Sequence, residues 1–378
     1  MAALNEEQSV IKDQARSWTS KEAPVSKFRA MRNSGVEKKF DSATWKAMVD
    51  MGWTGILVSE EYGGSDLGYL TFGVVLEELG RQLTASPLFA SALVGVTALN
   101  LAGNKDQKQH FLPKVVDGSE ILSLAVDEGP RYAPQASALK AQKTSCGYTL
   151  TGHKTFVAEG MVATTLIVAA RTSGVAGDKK GITLFLVPTS SDGISKTAIN
   201  TVDSRGYARI DFAGVEVDEG AVLGNVDDGF GPLDATLDRA AAALCAEMMG
   251  TAAQSFDMTL EYLKTRVQFG RVIGSFQALG HRAAGLFTAQ ELARSCGEAA
   301  LQAIDAGADN VPQMCSLGKA KVGDFLHEMS NQLIQIHGGI GMTDEFDAGL
   351  YLKRARVLET SYGNQAFHRD RYATLLGF

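Results

Sequence analysis

The chain has 378 residues, of which 45% are apolar and 21% charged, and a formal charge of −7. That length allows a large core and two or three domains, and the mild acidic balance gives no bulk attraction to nucleic acid or to an anionic membrane. No window is apolar for long enough to span a bilayer, and Cys146, Cys245, Cys296 and Cys315 are too scattered for a disulfide framework or a CxxC pair.

Residues 1–118 read as a helical domain. The start, MAALNEEQSVIKDQARSW, is an amphipathic helix pattern carrying acids, without the apolar core of a signal peptide, so a cytoplasmic location is the expectation. Apolar residues then recur at helical spacing at Trp45, Met48, Val49 and Met51, and again at Phe72, Val75, Leu76 and Leu79. In DSATWKAMVD, Asp41 or Ser42 is placed to cap a helix and Gly52 stands just past its end.

Residues 119–226 change to short runs rich in Val, Ile, Thr and Leu: TLIVAART (165–172), GITLFLVP (181–188) and ARIDFAGVEV (208–217). Strands this close together, with no helical pattern between them, predict an antiparallel β domain. No GxGxxG opens a helix and no HExxH occurs, so neither a dinucleotide-binding parallel sheet nor a metal site is expected.

Residues 227–378 return to the helical period over 231–267, 275–306, 310–336 and 346–376, a pattern that predicts a C-terminal helix bundle. The fold class is therefore α+β, in the order helices, β domain, bundle. Within the first long helix, LDRAAAALCAEMMGTAAQSF (237–256) holds one carboxylate, Glu247, in a run from Ala240 to Ala253 that is otherwise small, apolar or thiol-bearing. A carboxylate costs several kcal/mol to bury without a partner, so Glu247 needs a reason.

Two C-terminal stretches, RVQFGRVIGSFQALGHRAA (266–284) and QIHGGIGMTDEFDAGLYLKRARVL (335–358), together with this layout, resemble the acyl-CoA dehydrogenases over essentially the whole chain. The resemblance implies FAD as cofactor, an acyl-CoA substrate desaturated between Cα and Cβ, and an electron-transferring flavoprotein as acceptor. It places Arg266 at the FAD pyrophosphate, where a planar guanidinium suits phosphate oxygens, and Phe269 and Gln277 along the adenosine half. Gln335, Gly338 and Gly339 end a helix where backbone can approach the cofactor. His337, between them, is assigned no chemistry. In the family these groups reach the FAD of a neighbouring subunit, which implies at least a dimer and usually a homo- or hetero-tetramer. Taken alone, Arg266 would read as a surface cation and Gly338-Gly339 as a helix stop.

The flavin-holding loop departs from the family pattern TEPxxGSD. After SLAV (123–126) the chain reads DEGPRYAP: Val126 and Glu128 match, but Asp127 stands in place of the threonine that faces the flavin, and Ala133 in place of a serine. In GHKTFVAEG (152–160), which resembles GxKxWITNG, Phe156 keeps the aromatic face behind the ring and Ala158 loses a hydroxyl.

The base is displaced too. Counting from Gly338 puts the C-terminal family glutamate at Tyr362, and a neutral tyrosine, with a reference pKa of about 10, is a poor base at pH 7. The second family position, counted back from Arg266, is Ala240; shifting Asp238 into it needs two inserted residues, which would turn the helix by about 200°. Glu247 lies seven residues on from Ala240, about 700° around the helix and about 10 Å along the same face.

RY in the loop, AALCAE in the helix and a YGN ending resemble the small subunit of bacterial heteromeric acyl-CoA dehydrogenases of the pimeloyl-CoA or steroid side-chain type. Two roles stay open: a dehydrogenase subunit with Glu247 as the Cα base, or a non-catalytic partner that completes the FAD site of another subunit. In the second case Glu247 would pair with an arginine of another helix, such as Arg282 or Arg294, or lie where two subunits meet. Leu237, Ala240, Ala243 and Leu244 are the candidates to line the acyl pocket.

Overall fold

The computed structural model describes residues 4–378. In chain order the helices α1 (Glu6–Glu22), α2 (Val25–Ser34), α3 (Ser42–Asp50), α4 (Gly68–Arg81), α5 (Val96–Ala102) and α6 (Lys105–Val116) come first. Eight strands follow: β1 (Leu122–Ala125), β2 (Lys140–Lys143), β3 (Gly147–Ala158), β4 (Thr165–Arg171), β5 (Ile182–Pro188), β6 (Ile194–Asn200), β7 (Gly206–Asp218) and β8 (Val222–Leu223). Then come α7 (Phe230–Thr265), a small hairpin of β9 (Val267–Gln268) and β10 (Arg271–Val272), and α8 (Gln277–Asp305), α9 (Val311–His337), α10 (Ala348–Thr360) and α11 (Gln365–Leu375). The expected order of helices, β domain and helices is the order observed. These elements form two compact units, one of residues up to Arg29, Tyr69–Thr84 and Ala241–Phe378, the other of Ala30–Gly68 and Ala85–Ala240.

The second unit is built on an eight-stranded sheet in the order β6-β7-β3-β2-β4-β5-β8, with β1 beside β4. It is not wholly antiparallel as the sequence predicts: β1 runs parallel to β4, Leu122 opposite Thr165 through Ala125 opposite Val168. A parallel pair needs a crossover, and the intervening β2–β3 ribbon provides it. Strand β4 is buried at every residue and β5 at all but its last, which explains their largely apolar runs; β6, at an edge, alternates. Asp41 caps α3 by accepting from the Thr44 amide, and Gly52 follows at φ 75°, as the sequence predicts.

The first unit is a helix bundle. Helix α7 is continuous over 36 residues, so residue counts along it from Ala240 to Arg266 hold without a gap. From Ala240 to Ala253 all residues but Ala246 are buried, so this stretch has a covered circumference and no single apolar stripe. Close packing comes from glycine: a Cβ on Gly80 of α4 would lie 2.3 Å from the Glu247 carbonyl oxygen, and one on Gly250 would lie 1.9 Å from the Glu77 carbonyl oxygen. The two backbones touch there because neither glycine carries a side chain. The single helix expected over 346–376 is two, α10 and α11, broken at Tyr362 (φ 55°) and Gly363 (φ 93°), after which Asn364 caps α11. Among the described residues no helix is long and apolar enough to cross a membrane.

Candidate active site

In the β unit, the turn after β1 is fixed by one buried ion pair. Glu128 accepts from the amides of Ala138 and Leu139, the Ser137 hydroxyl and Lys154 Nζ, the last at 2.7 Å. Lys154 is fully buried and donates also to the Val126 carbonyl and to Ser137 Oγ. Its three protons are thereby matched to three acceptors. Burial opposes both charges; the pairing outweighs it for Glu128, whose pKa lies below the usual range, and not for Lys154, whose pKa is lowered. Arg171, at the end of β4, holds the next segment through the carbonyls of Gln135 and Ser137. The match of Glu128 to the family loop thus has a structural cause, and Lys154, which sequence reasoning passed over inside GHKTF, is its partner.

Val126 is buried. Phe156 is 48% exposed and held at φ 51°, an unfavourable region for a bulky side chain, just after the Thr155 amide donates to the Asp127 carbonyl at 2.7 Å. An aromatic face kept out of the core at a conformational cost suits a flat ring stacked upon it.

In the helical unit, β9 and β10 are joined by Phe269 and Gly270 alone, at φ 56° and 78°, a type I′ hairpin turn. Arg266 and Gln277 are exposed and Phe269 is 89% exposed. Helix α8 opens at Gln277 with no side-chain cap, leaving the amides of a 29-residue helix for an anion. At the end of α9, Gln335, Gly338 and Gly339 are exposed, and a Cβ at either glycine would meet open space. His337, by contrast, is buried between the rings of Tyr262 and Phe346, at 4.3 and 4.6 Å. Its Nδ1 donates to the Leu333 carbonyl, Nε2 has no hydrogen-bond partner among the described residues, and burial lowers its pKa. A cation, a helix N-terminus, an exposed aromatic ring and uncovered glycine backbone are a donor set that fits a phosphate-bearing, aromatic cofactor such as FAD.

Glu247 is 7% exposed and its partner is Arg354 of α10, whose Nε and Nη2 both donate to Oε1, at 2.9 and 2.7 Å. The arginines named from the sequence are engaged elsewhere: Arg282 donates to Gln332, and Arg294 pairs with Glu77, which also holds Lys12. The carboxylate is not alone in an apolar stripe, because packing brings it a cation from α10. Tyr362 follows the end of α10, its carbonyl accepting from His368 Nε2 at 2.8 Å, while Lys319 Nζ donates to the carbonyls of Leu358, Glu359 and Gly363. Leu237, Ala240, Ala243 and Leu244 are core side chains of α7, between 0% and 5% exposed. A small cleft of about 40 Å³ within the helical unit has walls from α1, α4, α7 and α8, including Cys245, Ala246 and Met249, and none of those four residues lines it.

The architecture and these features define a class, the flavin-dependent oxidoreductases built as helices, β domain and helix bundle. Family profiles described as the N-terminal, middle and C-terminal domains of acyl-CoA dehydrogenase match residues 5–119, 129–218 and 227–376. The chain is 33% identical to the mitochondrial 2-methylacyl-CoA dehydrogenase of Solanum tuberosum, over 86% of this chain and 80% of that one. Among solved structures it is similar to the ChsE4-ChsE5 complex from Mycobacterium tuberculosis, with 25% identity, a TM-score of 0.88 and coverage of 99% and 98%. It is also similar to the Tcur3481-Tcur3483 steroid ACAD, with 27% identity, a TM-score of 0.87 and coverage of 98% of each chain. The chain belongs to the acyl-CoA dehydrogenase family, whose members are FAD-dependent oxidoreductases.

Proposed function

We propose that the chain desaturates an acyl-CoA thioester between Cα and Cβ as one subunit of a heteromeric complex. FAD, when bound, supplies the hydride acceptor. Arg266 and the amides at the start of α8 would hold its phosphates, Phe269, Gln277, Gln335, Gly338 and Gly339 its adenosine side, and Val126 and Phe156 its ring. Glu247 takes the proton from Cα. The observation that supports this role is the way Arg354 meets it: both N–H groups land on Oε1 and leave Oε2 outside those bonds. Similarity to two-subunit structures, one of them described as a steroid ACAD, supports the heteromer and a bulky acyl group.

The test is anaerobic mixing of the flavin-loaded protein with a panel of acyl-CoAs. Glu247→Gln is expected to slow flavin bleaching by about a hundredfold or more, in the range for loss of a general base, with FAD content per folded chain retained. Bleaching at an unchanged rate removes Glu247 as the base.

One observation favours a second reading, the non-catalytic partner. The Glu247–Arg354 pair is also what a purely structural bridge between α7 and α10 looks like, with each side chain about 10% exposed. On that reading the chain holds no flavin alone and restores it in a complex with a catalytic subunit.

A further inference from the structure

The carboxylate of Asp127 stands apart from the network beside it. Its neighbour Glu128 turns inward to Lys154 and three groups of residues 137–139. The Asp127 carbonyl accepts from the Thr155 amide at 2.7 Å, which ties the residue to β3 one position before Phe156, whose ring is 48% exposed. Among the described residues its carboxylate makes no hydrogen bond and no ion pair. Lys154 cannot serve it directly, since its three protons go to Val126, Glu128 and Ser137. The charged and titratable groups around the turn are Lys154 and His153 of β3, Glu128 of the turn itself and Arg171 of β4; His153 Nε2 and Arg171 are bonded to backbone carbonyls of the loop. Burial, only partly offset by Lys154 and reinforced by Glu128, pushes the Asp127 carboxyl up to about 6.

We propose that Asp127 is a positioning residue for the flavin ring, protonated in the bound state and donating its hydrogen bond to the ring in place of the hydroxyls absent at Ala133 and Ala158. The inference rests on the reading of this chain as a flavin-binding subunit. The sign follows from solvation. An aromatic ring laid over Asp127 removes water from the carboxylate, and the ring's carbonyl oxygens and bare nitrogens accept from a carboxyl but not from a carboxylate. Both effects favour the protonated form when FAD is bound, so binding takes up a proton and weakens as pH rises. A change of one pKa unit on binding corresponds to a tenfold change in affinity.

The experiment titrates the apo-chain with FAD at pH 5, 6, 7 and 8, following flavin fluorescence and the visible absorption bands, for the wild type, Asp127→Asn and Asp127→Thr. The wild type is expected to bind FAD about tenfold more weakly at pH 8 than at pH 5, with a band shift that titrates over the same range. Asp127→Asn, nearly isosteric and unable to ionise, is expected to show neither dependence, and Asp127→Thr to bind at all four values with a flat profile. Superimposable wild-type and Asp127→Asn profiles, with FAD bound in both, overturn the inference and leave the functional reading standing. A chain that takes up no FAD at saturating cofactor at any of these pH values overturns its reading as a flavin-binding subunit, and the inference with it.

Discussion

Glu247 sits where α7 offers it no partner of its own: the residues three and four positions away on either side are Ala243, Leu244, Gly250 and Thr251. Arg354, 107 residues further on, meets it from α10. Breaking a buried pair from one side strands a charge, at a cost of about 3–5 kcal/mol, whereas replacing both partners with apolar groups of similar size is often neutral. Arg354→Met is therefore expected to destabilise the chain by about 3 kcal/mol and Glu247→Met by a similar amount. The double variant should recover most of that loss in urea unfolding. Losses that simply add would show that the two side chains do not act as a pair. The presence of a costly carboxylate was legible in the sequence, because helical counting needs only the helix. Its partner was not, because the choice among Arg282, Arg294 and Arg354 is made by how the helices pack.

The turn between α10 and α11 shows the same limit for a whole element. The helical period of 346–376 carries straight through Tyr362, and only the glycine and asparagine that follow signal the break. What fixes the turn comes from elsewhere in the bundle. Lys319 is fully buried, its pKa pushed down to about 8 by burial, and spends its protons on three carbonyls around the end of α10. His368 donates from Nε2 to the Tyr362 carbonyl while Ser316 Oγ lies 3.4 Å from Nδ1; burial and the nearby Lys319 push its pKa down to about 3. The folded state thus keeps His368 neutral, while the unfolded chain binds a proton below about pH 6.5. Stability that depends on this histidine is complete above that value and declines as pH falls toward 3. Between pH 7.5 and pH 5 the loss should be about 2 kcal/mol, as an order of magnitude, and His368→Gln should flatten that part of the profile. Urea unfolding of both proteins at pH 7.5, 6 and 5 measures it, and parallel profiles would mean that His368 titrates alike in both states.

Across the whole chain, the order of helices, strands and helices could be read from hydrophobic period, and the strands β4 and β5 from their apolar runs. The parallel placement of β1 could not, because alternation says which residues are buried and nothing of strand direction. One surface feature was legible only through the family resemblance, and its conformation gives it an independent reason. Phe269 occupies the first central position of a type I′ turn, at φ 56°, where asparagine, aspartate and glycine are preferred. It is 89% exposed, and its aromatic contact is an edge-on approach to Phe276 at 6.2 Å. An aromatic residue at a position that disfavours it, with so little buried area in return, contributes little to this chain's own stability. Val267, Phe287, Leu292 and Met342 of the same helical unit are also more than half exposed, more apolar surface than scattered side chains require and of the kind found at association sites. Phe269→Asn satisfies the turn preference and removes the ring. It is therefore expected to leave the melting temperature of the dissociated chain unchanged or slightly higher, while shifting the sedimentation profile toward the single chain and lowering FAD retained through gel filtration. A variant that melts earlier, yet assembles and keeps FAD as the wild type does, would place Phe269 in the hairpin's own fold instead. A variant that assembles normally but loses FAD would assign the ring to the cofactor and not to the subunit contact.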